Sequence, residues 1–293
     1  MKTKSLKKIF YTSIILFFLL TIYTIPITKN NKVLKTNLEL EDITSLSTTN
    51  LYLLNKDNYL VKTPIILEEK DELNKIKKII NYLKETNNKN ELNGYIPKDT
   101  KINNLEIEDN IIKIDFSKEF LLNDLKKSIT GIVYSLLEIN SSYKVQLTTD
   151  NKIIDGYSKP LDKKIGINSE EYFLNKNNND TVVIYYLSNN QDYYIPVTKE
   201  INEKDEKIEV IINELKQISP YDYISPLNKN TELLDYHEES NVLFLNFNKY
   251  LKDENKSFQE KTLNTIAYSV FDNYDVEMVS FEIENKNISI IKR

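Results

Sequence analysis

Cysteine is absent from this 293-residue chain, and histidine occurs once, at His237. Together these absences exclude disulfides, the usual zinc constellations, and the Ser/His and Cys/His dyads of nucleophilic catalysis. They also exclude a lipid-modified cysteine at a processed N-terminus, so the chain is not a bacterial lipoprotein. Only four glycines are present (Gly94, Gly131, Gly156 and Gly166), none of them clustered, so a glycine-rich loop that cradles phosphate is ruled out. No cofactor and no metal is implied. His237 sits in an acidic segment, Glu238-Glu239-Ser240-Asn241, that reads as a hairpin turn, and a solvated turn histidine is the expectation there. Among 44 acidic residues a glycosidase-like carboxylate pair is not excluded by counting, because its geometry is tertiary; most of these acids fall on outer helix faces. No catalytic, cofactor-binding or metal-ligating residue is assigned from the sequence, and no binding residue is either.

Basic residues dominate one short stretch. Lys2, Lys4, Lys7 and Lys8 precede a run, Ile9 to Ile27, of 19 residues without a charge. As a helix it spans about 28 Å at about 1.5 Å per residue, close to a hydrocarbon core. The run is long for the apolar part of a signal peptide and lacks small residues at a cleavage spacing, so it reads as an uncleaved signal-anchor. The lysines place the N-terminus in the cytoplasm and the rest outside, which predicts a single-pass cell-membrane protein held by its N-terminal helix. Four of the 39 basic residues and none of the acids lie before the anchor. The remainder therefore carries 35 basic against 44 acidic residues, a net charge of −9. An exported part of that sign is unsuited to nucleic acid.

The remaining chain repeats itself. Residues 110–117 read NIIKIDFS and residues 241–248 read NVLFLNFN, each with alternate apolar positions: Ile112, Ile114 and Phe116; Leu243, Leu245 and Phe247. Helical spacing recurs at a constant offset, Ile76, Ile79, Ile80 and Leu83 against Ile208, Ile211, Ile212 and Leu215. A second helix follows each central strand, with Leu125, Ile129, Ile132, Val133, Leu136 and Leu137 inward in copy one. In copy two Leu263, Ile266, Ala267 and Val270 face inward, and Ser257 and Glu260 form the pattern of a capping box. Tyr134-Ser135 corresponds to Tyr268-Ser269. The pattern predicts residues 1–28 as cytoplasmic tip and anchor, 29–49 as a tether, 50–155 as repeat 1, 156–180 as a linker and 181–293 as repeat 2. The fold class is α+β: two tandem repeats, each with two helices packed on a mainly antiparallel sheet, after an N-terminal transmembrane helix. Val242 and Phe244, against Ile111 and Lys113, predict that the second sheet is covered on its other face by the linker or by a neighbour.

The ordered set YIPVTKEI (194–201), NVLFLNFN, LNTIAYSVFD (263–272) and VEMVSFEIENK (276–286) resembles the GerMN domain family of sporulation and spore germination proteins. Repeat 1 is similar through IPKDTKI (96–102), NIIKIDFS, ITGIVYSLLE (129–138) and VQLTTDNK (145–152). The resemblance covers about residues 51–288 in a tandem arrangement. It departs in anchoring, since many members are lipoproteins, and in the terminal turn, where Asn151 and Asn285 replace a frequent glycine. The resemblance implies a non-enzymatic, membrane-tethered protein of endospore formation, similar to ring-building modules between mother cell and forespore. Expected partners are other envelope or sporulation-channel proteins, with a homo-oligomer compatible with such a module. The rival class is a glycan-binding protein or hydrolase of the cell wall, or its regulator, which a cleft with convergent carboxylates and aromatics would mark.

Overall fold

The computed structural model describes residues 47–84, 92–122, 124–169, 181–219, 221–252 and 255–293. The run Ile9–Ile27 lies outside these residues. Among the described residues no helix is long and apolar enough to cross a membrane.

Repeat 1 contains β1 (Ser47–Leu54), β2 (Leu60–Leu67), α1 (Glu72–Lys84), β3 (Ile102–Glu108), β4 (Ile111–Phe116), α2 (Leu125–Leu137), β5 (Lys144–Thr149) and β6 (Lys152–Ile153). Repeat 2 contains β7 (Thr181–Ser188), β8 (Tyr194–Glu200), α3 (Lys207–Leu215), β9 (Tyr223–Ile224), β10 (Leu233–Glu239), β11 (Val242–Phe247), α4 (Lys256–Asn273), β12 (Met278–Ile283) and β13 (Lys286–Lys292). The chain is α+β, as expected, but each repeat divides its strands between two sheets instead of one. Repeat 1 has β1–β2 and β3–β4–β5–β6; repeat 2 has β8–β7–β9 and β10–β11–β12–β13. The central pairs β4–β5 and β11–β12 are parallel and the other pairs antiparallel, since a helix connects each parallel pair.

The division follows from α2, which is buried round most of its surface from Ser128 to Leu137 and touches both β1 and β5. A helix apolar on one stripe needs one sheet; one buried nearly all round needs two. A hydroxyl of the second helix then replaces a missing strand partner in each repeat: the Tyr52 backbone N–H donates to Ser135 Oγ on α2 at 3.0 Å, and the Tyr185 N–H to Ser269 Oγ on α4 at 2.9 Å.

The paired helix faces are as the spacing predicts, with Ile76, Ile79, Ile80, Leu83, Ile208, Ile211, Ile212 and Leu215 all buried. Phe116 and Phe247 are both fully buried in the core. Four two-residue hairpins close on Asp109-Asn110, Asp150-Asn151, Ser240-Asn241 and Glu284-Asn285, every one of them at positive φ. Asparagine tolerates this left-handed backbone, which is how a glycine-poor chain makes such turns.

Several expectations are corrected. Glu238, Glu239 and His237 lie on strand β10, not in the turn, which is only Ser240-Asn241. Helix α4 is capped by Asn255, whose side chain accepts from the N–H groups of Ser257 and Phe258, so Ser257 stands inside the helix. β1 begins at Ser47, within the stretch read as tether. Two contacts of the described part of the linker lie away from Val242 and Phe244. Leu161 exchanges backbone hydrogen bonds with Val145, and the Ile167 N–H donates to Thr198 Oγ1. Phe244 is partly covered by a residue of its own sheet, the His237 ring stacking on it at 4.7 Å between centroids.

Candidate functional site

The two repeats meet through equivalent parts. β2 of repeat 1 lies against β8 of repeat 2, and Tyr52 on β1 meets Tyr185, its counterpart on β7. Their hydroxyl oxygens are 3.3 Å apart. Each hydroxyl also donates to the acid at the end of its own repeat's second helix, Tyr52 to Glu138 at 3.3 Å and Tyr185 to Asp272 at 2.7 Å. Like part against like part is the pattern of an isologous contact, here made within one chain. The aromatic surroundings repeat as well. Tyr52 packs edge-on to Tyr134 at 5.3 Å, and Tyr185 packs against Tyr268 at 5.7 Å.

Two carboxylates at this seam call for compensation, since an unpaired buried charge is strongly destabilising. Their side chains are only 12 and 7% exposed. Lys163, from the segment joining the repeats, supplies one cation: its Nζ lies 2.9 Å from Glu138 Oε1 and 3.5 Å from Asp272 Oδ1. Lys62 on β2 supplies the other, 3.5 Å from Glu138 Oε2 and 5.6 Å above the Tyr268 ring. Asn50 donates to Glu138 Oε2 at 2.9 Å. Two acids face two lysines, so the seam is balanced. Burial pushes the Glu138 carboxyl up, but Lys163 and Lys62 pull it further down, to about 2. Burial lowers the Lys163 ammonium, and Asp272 and Glu138 outweigh that and hold it above the ordinary lysine range. Burial, with Glu138 and Asp272 nearby, raises both Tyr52 and Tyr185 well above the usual phenol range.

Asn168 adds a backbone clamp. Its Oδ1 accepts from the Leu60 N–H at 2.9 Å, and its Nδ2 donates to the carbonyls of Leu60 and Pro196 at 2.8 Å each. Residues 163–168 therefore act as a mortar course between the repeats.

The seam opens on one side into a cleft of about 870 Å³. Tyr193, Tyr194 and Tyr268 line it with Glu72 and Asp192, and Glu138 and Asp272 lie at its base. Convergent carboxylates and aromatics are the feature that would mark a glycan enzyme. A glycosidase acid, however, needs a raised pKa. Glu138 is moved the opposite way and is already engaged by two lysines. Among the described residues no group of three or more His, Cys, Asp or Glu side chains converges as a metal site. His237 is not part of the cleft lining and is exposed on β10.

A family profile described as Germane, sporulation and spore germination, matches residues 50–155 and 172–289. The chain belongs to the Germane family. It is similar to the solved tandem GerMN domains of the sporulation protein GerM from Bacillus subtilis, with 25% identity and a TM-score of 0.68, covering 85% of this chain and 97% of that one. The first GerMN domain of that protein, solved alone, aligns at 24% identity over 39% of this chain and 93% of its own, with a TM-score of 0.33. No curated protein sequence matches.

The two Germane repeats differ in one place that illustrates how each core was settled. In repeat 1 a Cβ added to Gly131 on α2 would stand 2.3 Å from the ring and hydroxyl of Tyr95. Repeat 2 has Thr265 in place of that glycine and the smaller, buried Pro226 in place of the tyrosine.

Sequence reasoning did not single out Lys62, Glu138, Lys163 or Asp272. A signal was present: Tyr134-Ser135-Leu136-Leu137-Glu138 and Tyr268-Ser269-Val270-Phe271-Asp272 share Tyr-Ser and an acid three residues on.

Proposed function

We propose that this Germane protein is a non-enzymatic, membrane-anchored component of the sporulating-cell envelope, acting as an assembly module through its surfaces. The observation that carries the reading is the seam. Its ionisable groups are neutralised against one another, so they hold two modules as one block and leave no poised acid, base or nucleophile there. A rigid two-module body beside a membrane suits the positioning of other proteins. The apolar run Ile9–Ile27 supports attachment, with the repeats on the outer side of the membrane. The family membership supports the setting, sporulation and germination.

The test is complementation in a spore-forming host, with folding and membrane localisation followed for each variant. His237→Ala, or neutralising any single exposed carboxylate, leaves sporulation and germination nearly intact. Deleting either repeat abolishes function. A single carboxylate substitution that preserves folding and localisation yet eliminates function would overturn the reading.

A second reading, binding of cell-wall glycan, has one observation in its favour, the tyrosines of the cleft. Titration of the full chain with wall-glycan fragments, followed by perturbation of Tyr193, Tyr194 and Tyr268, separates it from the first.

A further inference from the structure

The sheet β10–β11–β12–β13 has two open edges: among the described residues no strand pairs with the outer side of β10 or of β13. Unpaired edges of this length are normally blunted, because their free N–H and C=O groups recruit another strand. Here they carry opposite charge. β10 holds Asp235, Glu238 and Glu239; β13 holds Lys286 and Lys292 and no acid. Apolar side chains accompany the charges, Leu234 being 51% exposed and Ile290 57%.

Repeat 1 does not share this arrangement. Glu106 and Glu108 on its β3 edge are both engaged by Lys113. Its β6 has two residues, and beyond it the chain returns so that Leu161 bonds to Val145 on β5. The free, oppositely charged pair of edges is a property of repeat 2.

Strand direction fixes how the edges can meet. β10 is antiparallel to β11, β11 parallel to β12, and β12 antiparallel to β13, so β10 and β13 run the same way. A second copy in the same orientation brings its β10 alongside β13 as a parallel pair. Lys292 and Ile290 lie opposite Met278 and Ser280, and Glu239 and His237 lie opposite Val242 and Phe244, all on one face. The register that sets Lys292 beside Glu239 of the next copy therefore sets Ile290 beside its His237. Like charges disfavour β10 against β10 and β13 against β13, which leaves the head-to-tail joint.

We propose that the protein self-associates head to tail, β13 of one copy adding to β10 of the next, so that the repeat 2 sheet continues from molecule to molecule. The occupant of each edge is a second copy of this chain. The contact is heterologous, giving a ring or an open row. It rests on the assembly reading above and specifies one joint for it.

The full chain in mild detergent, followed by sedimentation velocity across a concentration series, tests the joint. Wild type forms species larger than the monomer that recede with added salt. Lys286→Glu with Lys292→Glu, or Glu238→Lys with Glu239→Lys, weakens association by on the order of tenfold or more. Combining both reversals in one chain restores it, and circular dichroism checks that each variant folds. Because the chain has no cysteine, His237→Cys and Ile290→Cys in one chain give a disulfide ladder, whereas either alone does not. A wild type that stays monomeric at every concentration, or association indifferent to both reversals, overturns the joint. If such a protein still requires both repeats for sporulation, only the joint fails and the assembly reading stands.

Discussion

Glu138→Gln removes one charge from the seam while keeping the side chain's size. In the folded protein the Glu138 carboxyl lies at about 2 against an ordinary 4.5. A gap of that size, at about 1.4 kcal/mol per pH unit, corresponds to about 3 kcal/mol of stability. Because the folded value is depressed, this stability is fully present above pH 4.5 and is lost as the pH falls towards 2. The variant also leaves Lys62 without its carboxylate partner and Lys163 with Asp272 alone, and breaking one partner of a buried pair typically costs about 3–5 kcal/mol. The expected result in urea at pH 7 is a loss of about 3 kcal/mol, or a fall in melting temperature of roughly 6–12 °C for a body of this size. The difference between wild type and variant then shrinks steadily from pH 4.5 to 2, since the wild-type carboxyl becomes protonated too. A difference below about 1 kcal/mol at pH 7, or one that does not change with pH, refutes the claim that Glu138 is held ionised by the two lysines.

Gly131→Ala drives a methyl into the Tyr95 ring, and overpacking of this kind costs about 1–3 kcal/mol, read by urea unfolding; Tyr95→Phe does not relieve it, because ring carbons as well as the hydroxyl are in the way. Phe247→Ala empties a fully buried ring position in repeat 2 and costs about 3–5 kcal/mol. A melt of the full chain that hardly moves would mean that the β11 register is wrong.

Which parts of this structure were legible in the sequence follows from the kind of force that makes them. The duplication and the helix faces were readable because burial imposes a period, so Ile208, Ile211, Ile212 and Leu215 announce their direction without any tertiary knowledge. The central strands were readable for the same reason. β13 was not, because Lys286–Lys292 exposes Ile288 and Ile290 and so lacks a clean inward face. The cap of α4 was misassigned because Asn255 and Ser257 are both good cap residues, and only the backbone decides between them. The seam was hidden by chemistry. Lys62, Glu138, Lys163 and Asp272 have the residue types of a solvated face, and their burial depends on two repeats meeting like to like. Only the acid repeated after Tyr134-Ser135 and Tyr268-Ser269 hinted that the position is constrained.

The central claim is that this seam makes one rigid body of two Germane repeats. Nitroxide labels at Ser141→Cys and Asp192→Cys, on opposite repeats at the mouth of the cleft, are specific because the chain has no other cysteine. The distance distribution between them, measured by pulsed electron resonance on the full chain, is predicted to be narrow. It should broaden when Lys163→Ala removes the shared cation. A broad distribution in the otherwise unaltered protein would contradict the account, because the repeats would then move independently and the seam would be an incidental contact.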